Sequence, residues 1–242
     1  MNTVKERKED YLEMYKQEKK LRTSIYQLAH EIKNPLAVCN GYLDMMPRLK
    51  EPSQEKYLTI IREEIKRTLS VINDFSFFCK EKKLELEELD LNLLLEDTIS
   101  TIRSLIEKDK GKIIFTSRED LYFTGDYVRL KQALMNIMKN AVESVNDKQL
   151  LLKIKVNNRK KDYEIVIKDN GCGMDKEELQ KIYDTYYTTK RTGTGLGIPY
   201  TKEIIELHQG TIQYHSKKNE GTSVTITLPK EKSPKTFNNN NY

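Results

Sequence analysis

The sequence predicts two parts of different class. The first is an all-α helical hairpin that pairs with a second copy into a dimeric four-helix bundle. The second is an α+β sandwich domain. Three observations predict this. Apolar residues recur in steps of three and four up to Cys79, the spacing of packed amphipathic helices. The charged stretch Lys80-Glu81-Lys82-Lys83, read as a hinge, then breaks the pattern. Beyond it, alternating runs and helical stripes are interleaved with two glycine clusters, with no βαβ alternation.

Residues 1–22 are rich in charge, with a sparse heptad trace at Val4, Tyr11, Glu18 and Ile25. Polar Glu18 on that seam makes it a weak coiled coil, read either as a signal helix or as a frayed terminus. Residues 23–83 form the hairpin. Its first seam is Leu21, Ile25, Leu28, Ile32, Leu36, Cys39, Leu43 and Met46; its second is Leu58, Ile61, Ile65, Leu69, Ile72, Phe75 and Cys79. Pro47 and Pro52 stop the first helix, and Ser53 can cap the second. One hairpin has one seam to bury, so two hairpins pair as a homodimer.

Residues 84–230 form the second domain. Leu84, Leu86 and Leu89 suggest a short strand, Leu93 to Ile106 a helix, and Ile113-Ile114-Phe115 another strand. A helix containing Gln132 to Val145 follows, with Leu130, Leu134, Ile137, Ala141 and Val145 as its buried stripe. A β-hairpin spans about 151–168 around the basic turn Arg159-Lys160-Lys161. The glycine clusters, a helix ending near Leu207 and His208, and two final strands complete the domain. The tail over 231–242, with its run of asparagines, is expected to be disordered.

The chemistry-bearing residues fall into four strings. His30-Glu31-Ile32-Lys33-Asn34-Pro35-Leu36 lies within the first seam. His30 sits two positions past Leu28, roughly 200° around the helix, so its imidazole faces away from the seam. Glu31 is beside it and Asn34 one turn further, at a point where Pro35 weakens the helix. Asp169-Asn170-Gly171-Cys172-Gly173 ends an alternating run. It places an acceptor carboxylate, suited to an exocyclic amine such as that of adenine, at the mouth of a tight loop. Thr192-Gly193-Thr194-Gly195-Leu196-Gly197 opens into a helix whose free N–H groups suit phosphate oxygens. Pro199 falls in its first turn, and Lys190 upstream adds a charge. Asn136, Asn140 and Glu143 form a polar stripe flanked by Lys139, which could hold Mg2+ and phosphate oxygens. Each string has a plainer reading: a solvated helix face, a hairpin turn or a surface loop.

Taken in this order, the strings resemble the sensor histidine kinases of two-component signalling. His30 to Leu36 resembles that family's histidine box, and Gln132 to Glu143 its asparagine box. Asp169 to Gly173, Gly193 to Gly197, and Gly221-Thr222-Ser223 resemble its glycine boxes. His208-Gln209-Gly210 is similar to the family's turn before its last strands. The resemblance implies a Bergerat-type ATP-binding fold. It implies an ATP-dependent autokinase that phosphorylates His30 and passes the group to an aspartate of a response regulator receiver domain. ATP and Mg2+ are then the cofactors, with Asn140 as metal ligand, helped by Asn136. Asp169, Gly171, Gly173, Lys139, Lys190, Thr192, Gly193, Gly195, Leu196, Gly197 and Thr222 would line the nucleotide site. Asn34 suggests a regulator phosphatase activity, and a kinase inhibitor protein is a further partner of this family type. One departure stands out. Ile182 to Lys190 carries tyrosines where phenylalanines are usual and Thr185 where proline is common, implying a more polar or differently hinged lid.

Composition bounds the alternatives. The chain has 242 residues, 33% of them charged, and a net charge of +5 spread along its length. That distribution does not suggest nucleic acid as a partner. No run approaches the roughly 20 apolar residues of a membrane span. A cytoplasmic location is expected, with a membrane reached only through a segment upstream. The three cysteines, Cys39, Cys79 and Cys172, show no metal-ligand spacing. Cys39 and Cys79 read as small core residues on the seams. Two rivals remain. A non-signalling ATPase would need no histidine box, and a dimeric phosphotransferase or scaffold without autokinase activity would not need the asparagines and glycines.

Overall fold

The computed structural model describes residues 23, 25–26, 28–48, 53–79, 83–106, 110–117, 121–145, 149–190 and 193–230. The chain divides into two compact units, Met1–Lys80 and Glu81–Tyr242. The signal helix expected over 1–22, hinge residues 80–82, Thr192 and the tail from 231 lie outside the described residues.

The first unit is a helical hairpin. Helix α1 covers 28–45 and continues into a 3-10 turn, Met46–Arg48; α2 covers Ser53–Cys79. Helix α1 runs through Pro35, which is buried and cannot donate to the carbonyl of Glu31. The apolar seams divide in two. Cys39, Ile61 and Val71 turn inward with Pro35 and Thr68. The Cys39 thiol donates to the Ile61 carbonyl at 3.7 Å, and Tyr42 stacks on Tyr57. Leu36, Leu43, Leu58, Ile65, Leu69 and Ile72 stay exposed on the single chain. A row of this kind marks an interaction face rather than scattered surface apolars.

The second unit has two layers. Its main sheet contains β2 (Gly111–Thr116), β4 (Leu150–Asn158), β5 (Asp162–Lys168), β6 (Thr211–Lys217) and β7 (Gly221–Pro229), in the order β2-β4-β5-β7-β6. β2 runs parallel to β4; the other neighbours are antiparallel. A smaller sheet pairs β1 (Glu87–Asp90) with β3 (Tyr122–Gly125). Helix α4 (Tyr127–Glu143) packs on β4 and β5 and lies between α3 (Leu91–Arg103) and α6 (Gly197–Leu207). Alternation explains the sheet: Leu152, Ile154, Ile165, Ile167 and Ile226 are almost fully buried, while Lys153, Lys155 and Lys168 are exposed. Burying each such aliphatic side chain contributes about 1.5–3 kcal/mol.

Several sequence expectations shift here. The first strand is Glu87–Asp90, so Leu89 is buried while Leu84 and Leu86 precede the strand. Asp90 caps the next helix by accepting from Asn92 N, which starts α3 at Leu91 and leaves Leu93 exposed. That helix ends at Arg103, short of Ile106. Val145 lies beyond the end of α4 and is only half-buried, so it does not belong to that helix's buried stripe; Met138 and Ala133 complete it instead. The β2–β4 pair is a parallel crossover, where no such connection was expected. Two elements were not anticipated: β3, and α5 (Lys176–Lys181) with its Asp175/Glu178 capping box.

Candidate active site

Asp169 lies just past the end of β5 and is 7% exposed. Its Oδ1 accepts from Gly171 N at 2.8 Å and from Thr222 N at 3.0 Å, while its own N–H donates to the Thr222 carbonyl. Oδ2 accepts from no other described residue. Burial pushes the carboxyl above its ordinary range, against the pull of those N–H groups. A buried, backbone-oriented acceptor of this kind suits a donor amine on a ligand.

The surrounding loop is fixed by contacts that the sequence hides. The Asn170 side chain accepts from Leu151 N and donates to the Gln149 carbonyl, closing the loop onto β4. Cys172 N donates to the Ser144 carbonyl, joining the loop to the end of α4. A Cβ on Gly171 would stand 1.8 Å from Ser144 Oγ. Gly173 has φ +62, and a Cβ there would meet the Lys217 carbonyl oxygen at 2.1 Å, so both conformation and space demand glycine. The Ser216 hydroxyl accepts from Met174 N and lies 2.9 Å from Thr222 Oγ1. Asn170 could have been suspected from the habits of Asx residues in turns. Ser144 and Ser216 carry no such signal.

On α4, Asn136 Nδ2 lies 3.5 Å from the Gly197 carbonyl, at the start of α6. A Cβ on Gly197 would meet only Asn136, at 3.7 Å, so the glycine leaves open space beside that amide. Asn140 lies one turn on and accepts from Lys190 Nζ at 2.6 Å; the same ammonium donates to Glu143 Oε2 at 2.7 Å. Lys190 therefore ties the segment between the glycine clusters to α4. Lys139 is exposed and lies 3.8 Å from the other oxygen of Glu143.

The second glycine cluster is anchored to the tyrosine-rich segment. Tyr186 N donates to the Gly195 carbonyl at 3.0 Å, and both residues have positive φ, 71° and 65°. A Cβ on Gly195 would stand 2.4 Å from the Tyr186 backbone. Gly193 N donates to the Lys190 carbonyl, Thr194 and Leu196 are buried, and α6 begins at Gly197 without a side-chain cap. Its first N–H groups are thus available to an anion.

Among the described residues no group of three or more His, Cys, Asp or Glu could hold a metal ion. Mg2+ needs no such cluster, because it retains waters and shares phosphate oxygens with one or two protein ligands. Asn140 Oδ1 is an oxygen of the right kind, half-buried on α4 beside the Lys190 ammonium and the Glu143 carboxylate, so the donor chemistry fits.

In the hairpin unit, His30 is exposed on α1. Its ring packs edge-on against Tyr26, with centroids 4.6 Å apart. Glu31 is half-buried and Asn34 exposed. His208, by contrast, is buried and structural: its Nδ1 lies 2.7 Å from the Ile204 carbonyl, and its Nε2 accepts from Asp126 N.

Two family models match the chain. His Kinase A (phospho-acceptor) domain matches residues 20–82, and the Histidine kinase-, DNA gyrase B-, and HSP90-like ATPase matches 125–232. The chain is 35% identical to Sporulation kinase B of Bacillus subtilis (strain 168) over 205 residues, covering 84% of this chain and 48% of that protein. It is 31% identical to Signal transduction histidine-protein kinase AtoS of Escherichia coli (strain K12), covering 84% of this chain and 34% of that protein. The chain thus spans about half or less of the length of these relatives. Its structure is similar to histidine kinase ThkA in complex with response regulator protein TrrA, with a TM-score of 0.72 and 27% identity. That match covers 85% of this chain and 60% of that one. The catalytic domain of ThkA, 30% identical, is covered over 96% of its length, with a TM-score of 0.55 and 60% of this chain. The chain belongs to the sensor histidine kinases of two-component signalling.

Proposed function

We propose that the chain is an ATP-dependent autokinase that phosphorylates His30 and passes the phosphoryl group to an aspartate of a response regulator. The observation that supports it most is the buried Asp169 acceptor, set by Gly171 and Thr222 in the same unit as the Asn136–Gly197 and Asn140–Lys190 contacts. Asp169 Oδ2 accepts from the adenine amine. The N–H groups at the start of α6 and the Lys190 ammonium hold the phosphate tail. Lys139 adds long-range charge. Asn140 would hold Mg2+, which would supply charge neutralisation on the phosphates. The exposed imidazole of His30 supplies the attacking nitrogen, and Glu31 takes its proton as the bond to phosphorus forms. The bond broken is that between the γ-phosphorus and its bridging oxygen, so ADP leaves. Rate then comes chiefly from in-line positioning and charge neutralisation.

The exposed apolar row on α1 and α2 supports pairing of two hairpins into a four-helix bundle. The complex of histidine kinase ThkA with response regulator protein TrrA supports a response regulator as the partner. Asn34 orients water against a phosphorylated regulator. No helix among the described residues is long and apolar enough to cross a membrane. Phosphoryl transfer from ATP to a response regulator places this chain, on this reading, on the cytoplasmic side.

The test is incubation with γ-labelled ATP and Mg2+, comparing the native chain with His30→Gln. Label that is stable to alkali, lost in acid and absent from the variant supports the reading. Equal label on both chains overturns it.

A further inference from the structure

The start of α4 holds more than its own helix. Asp126 is buried and caps α4 by accepting from Arg129 N through Oδ1 at 3.0 Å. Its other oxygen, Oδ2, accepts from Glu85 N at 3.0 Å and lies 3.4 Å from Arg129 Nε. Arg129 Nη2 donates to the Lys83 carbonyl at 3.2 Å. Lys83 is the last residue of the charged hinge, and Glu85 lies two residues beyond it. The backbone of Asp126 is held from behind, where its N–H donates to the Nε2 of His208 at 2.9 Å. Asp126 therefore joins three parts: its carboxylate holds the connector and the N-terminus of the asparagine-bearing helix, and its backbone N–H holds the C-terminal end of α6.

We propose that Asp126 and Arg129 are positioning residues for phosphoryl transfer, fastening the connector at Lys83 and Glu85 to the helix that carries Asn136 and Asn140. This rests on the autokinase reading. The chain from Lys83 onward is then held to the nucleotide-binding unit and adds no loose length between Asn140 and His30. A longer loose tether would lower the effective concentration of one reacting group at the other. The two oxygens of Asp126 separate the tasks. An asparagine can still cap α4 through its single amide oxygen, but its NH2 cannot accept from Glu85 N. The substitution opens the connector bond while keeping the cap.

The experiment uses the whole chain and compares Asp126→Asn and Arg129→Met with wild type. Four quantities are read: melting temperature, KM for ATP, kcat of autophosphorylation, and hydrogen exchange at the Glu85 amide. Asp126→Asn is expected to give faster exchange at Glu85, and both variants an unchanged KM and a kcat lower by about tenfold. Faster exchange with kcat unchanged would overturn the proposal, because the connector would be free without consequence. A KM that rises while kcat holds would also overturn it, showing damage to nucleotide binding. If Asp126→Asn fails to fold, Arg129→Met decides alone, since it leaves the cap and the His208 bond in place. A wild-type chain that takes no label at all removes the autokinase reading, and this proposal with it.

Discussion

The Lys190 ammonium lies 2.6 Å from the amide oxygen of Asn140, the oxygen assigned to Mg2+. Glu143 holds the same ammonium at 2.7 Å. A lysine and a carboxylate thus satisfy one another across α4 and the tyrosine-rich segment. In the proposed mechanism this cation passes from Asn140 to a phosphate. Lys190→Met removes a phosphate contact and frees the segment. The expected outcome is a KM for ATP raised about tenfold, or about 1.4 kcal/mol, with kcat changed less. Steady-state autophosphorylation measures both.

Asp169 should trade stability for binding. Its carboxyl is raised by burial, so the ionised form costs folding energy at neutral pH. A raised native pKa means that the folded chain binds the proton first on acidification. This cost therefore shrinks as pH falls from above the native pKa toward the ordinary value of 3.8. Asp169→Asn keeps an oxygen to accept from Gly171 and Thr222 and removes the charge. Its melting temperature at pH 7 should equal or exceed that of wild type, while ATP affinity falls at least about tenfold. Calorimetry with and without nucleotide checks both halves.

His208 carries the opposite sign. Burial holds its imidazole below the ordinary value of 6.5, and its Nε2 must stay unprotonated to accept from Asp126 N. Asp126 and Arg129 are the charged groups facing it. The unfolded chain takes up the proton first, so this contribution is full above about pH 7. It is lost as pH falls through 6.5, and the loss levels off below the depressed native pKa. Unfolding midpoints between pH 5 and 8 should show that slope (roughly the range in which histidine titrates), and His208→Gln should flatten it.

Asn34 is exposed one turn from Glu31, where an amide can orient water. Asn34→Ala is expected to keep autophosphorylation within about twofold and to slow release of phosphate from a phosphorylated regulator about tenfold or more. A time course of regulator dephosphorylation in the presence of the kinase checks it. Unchanged dephosphorylation would remove that role.

Most of the architecture was legible because hydrophobic period is a local signal. The steps through Leu28, Ile32 and Cys39 specify a helix, and Ile165-Val166-Ile167 sits on a strand. Boundaries failed where a single side chain decides them. Asp90 starts α3 two residues before Leu93, and no periodicity reports a cap. The parallel pairing of β2 with β4 was hidden because register between distant strands is a tertiary property. Within the site, Asp169 and the glycines were visible as a motif. Their supports were not: Ser144 meets Gly171 from 27 positions upstream, and Ser216 reaches Met174 from 42 downstream. The same holds for Asp126 and His208, 82 residues apart, each ordinary in its own segment.

The central claim is that the nucleotide site serves His30. The most direct measurement locates the phosphoryl group itself. The whole chain is incubated with ATP and Mg2+, quenched in alkali and digested, and its peptides are sequenced by mass spectrometry. A phosphoryl group is expected on His30, in the peptide containing Glu31 and Asn34, and none after Asp169→Asn. A phosphoryl group on another residue, with His30 unmodified while ATP is consumed, would contradict it.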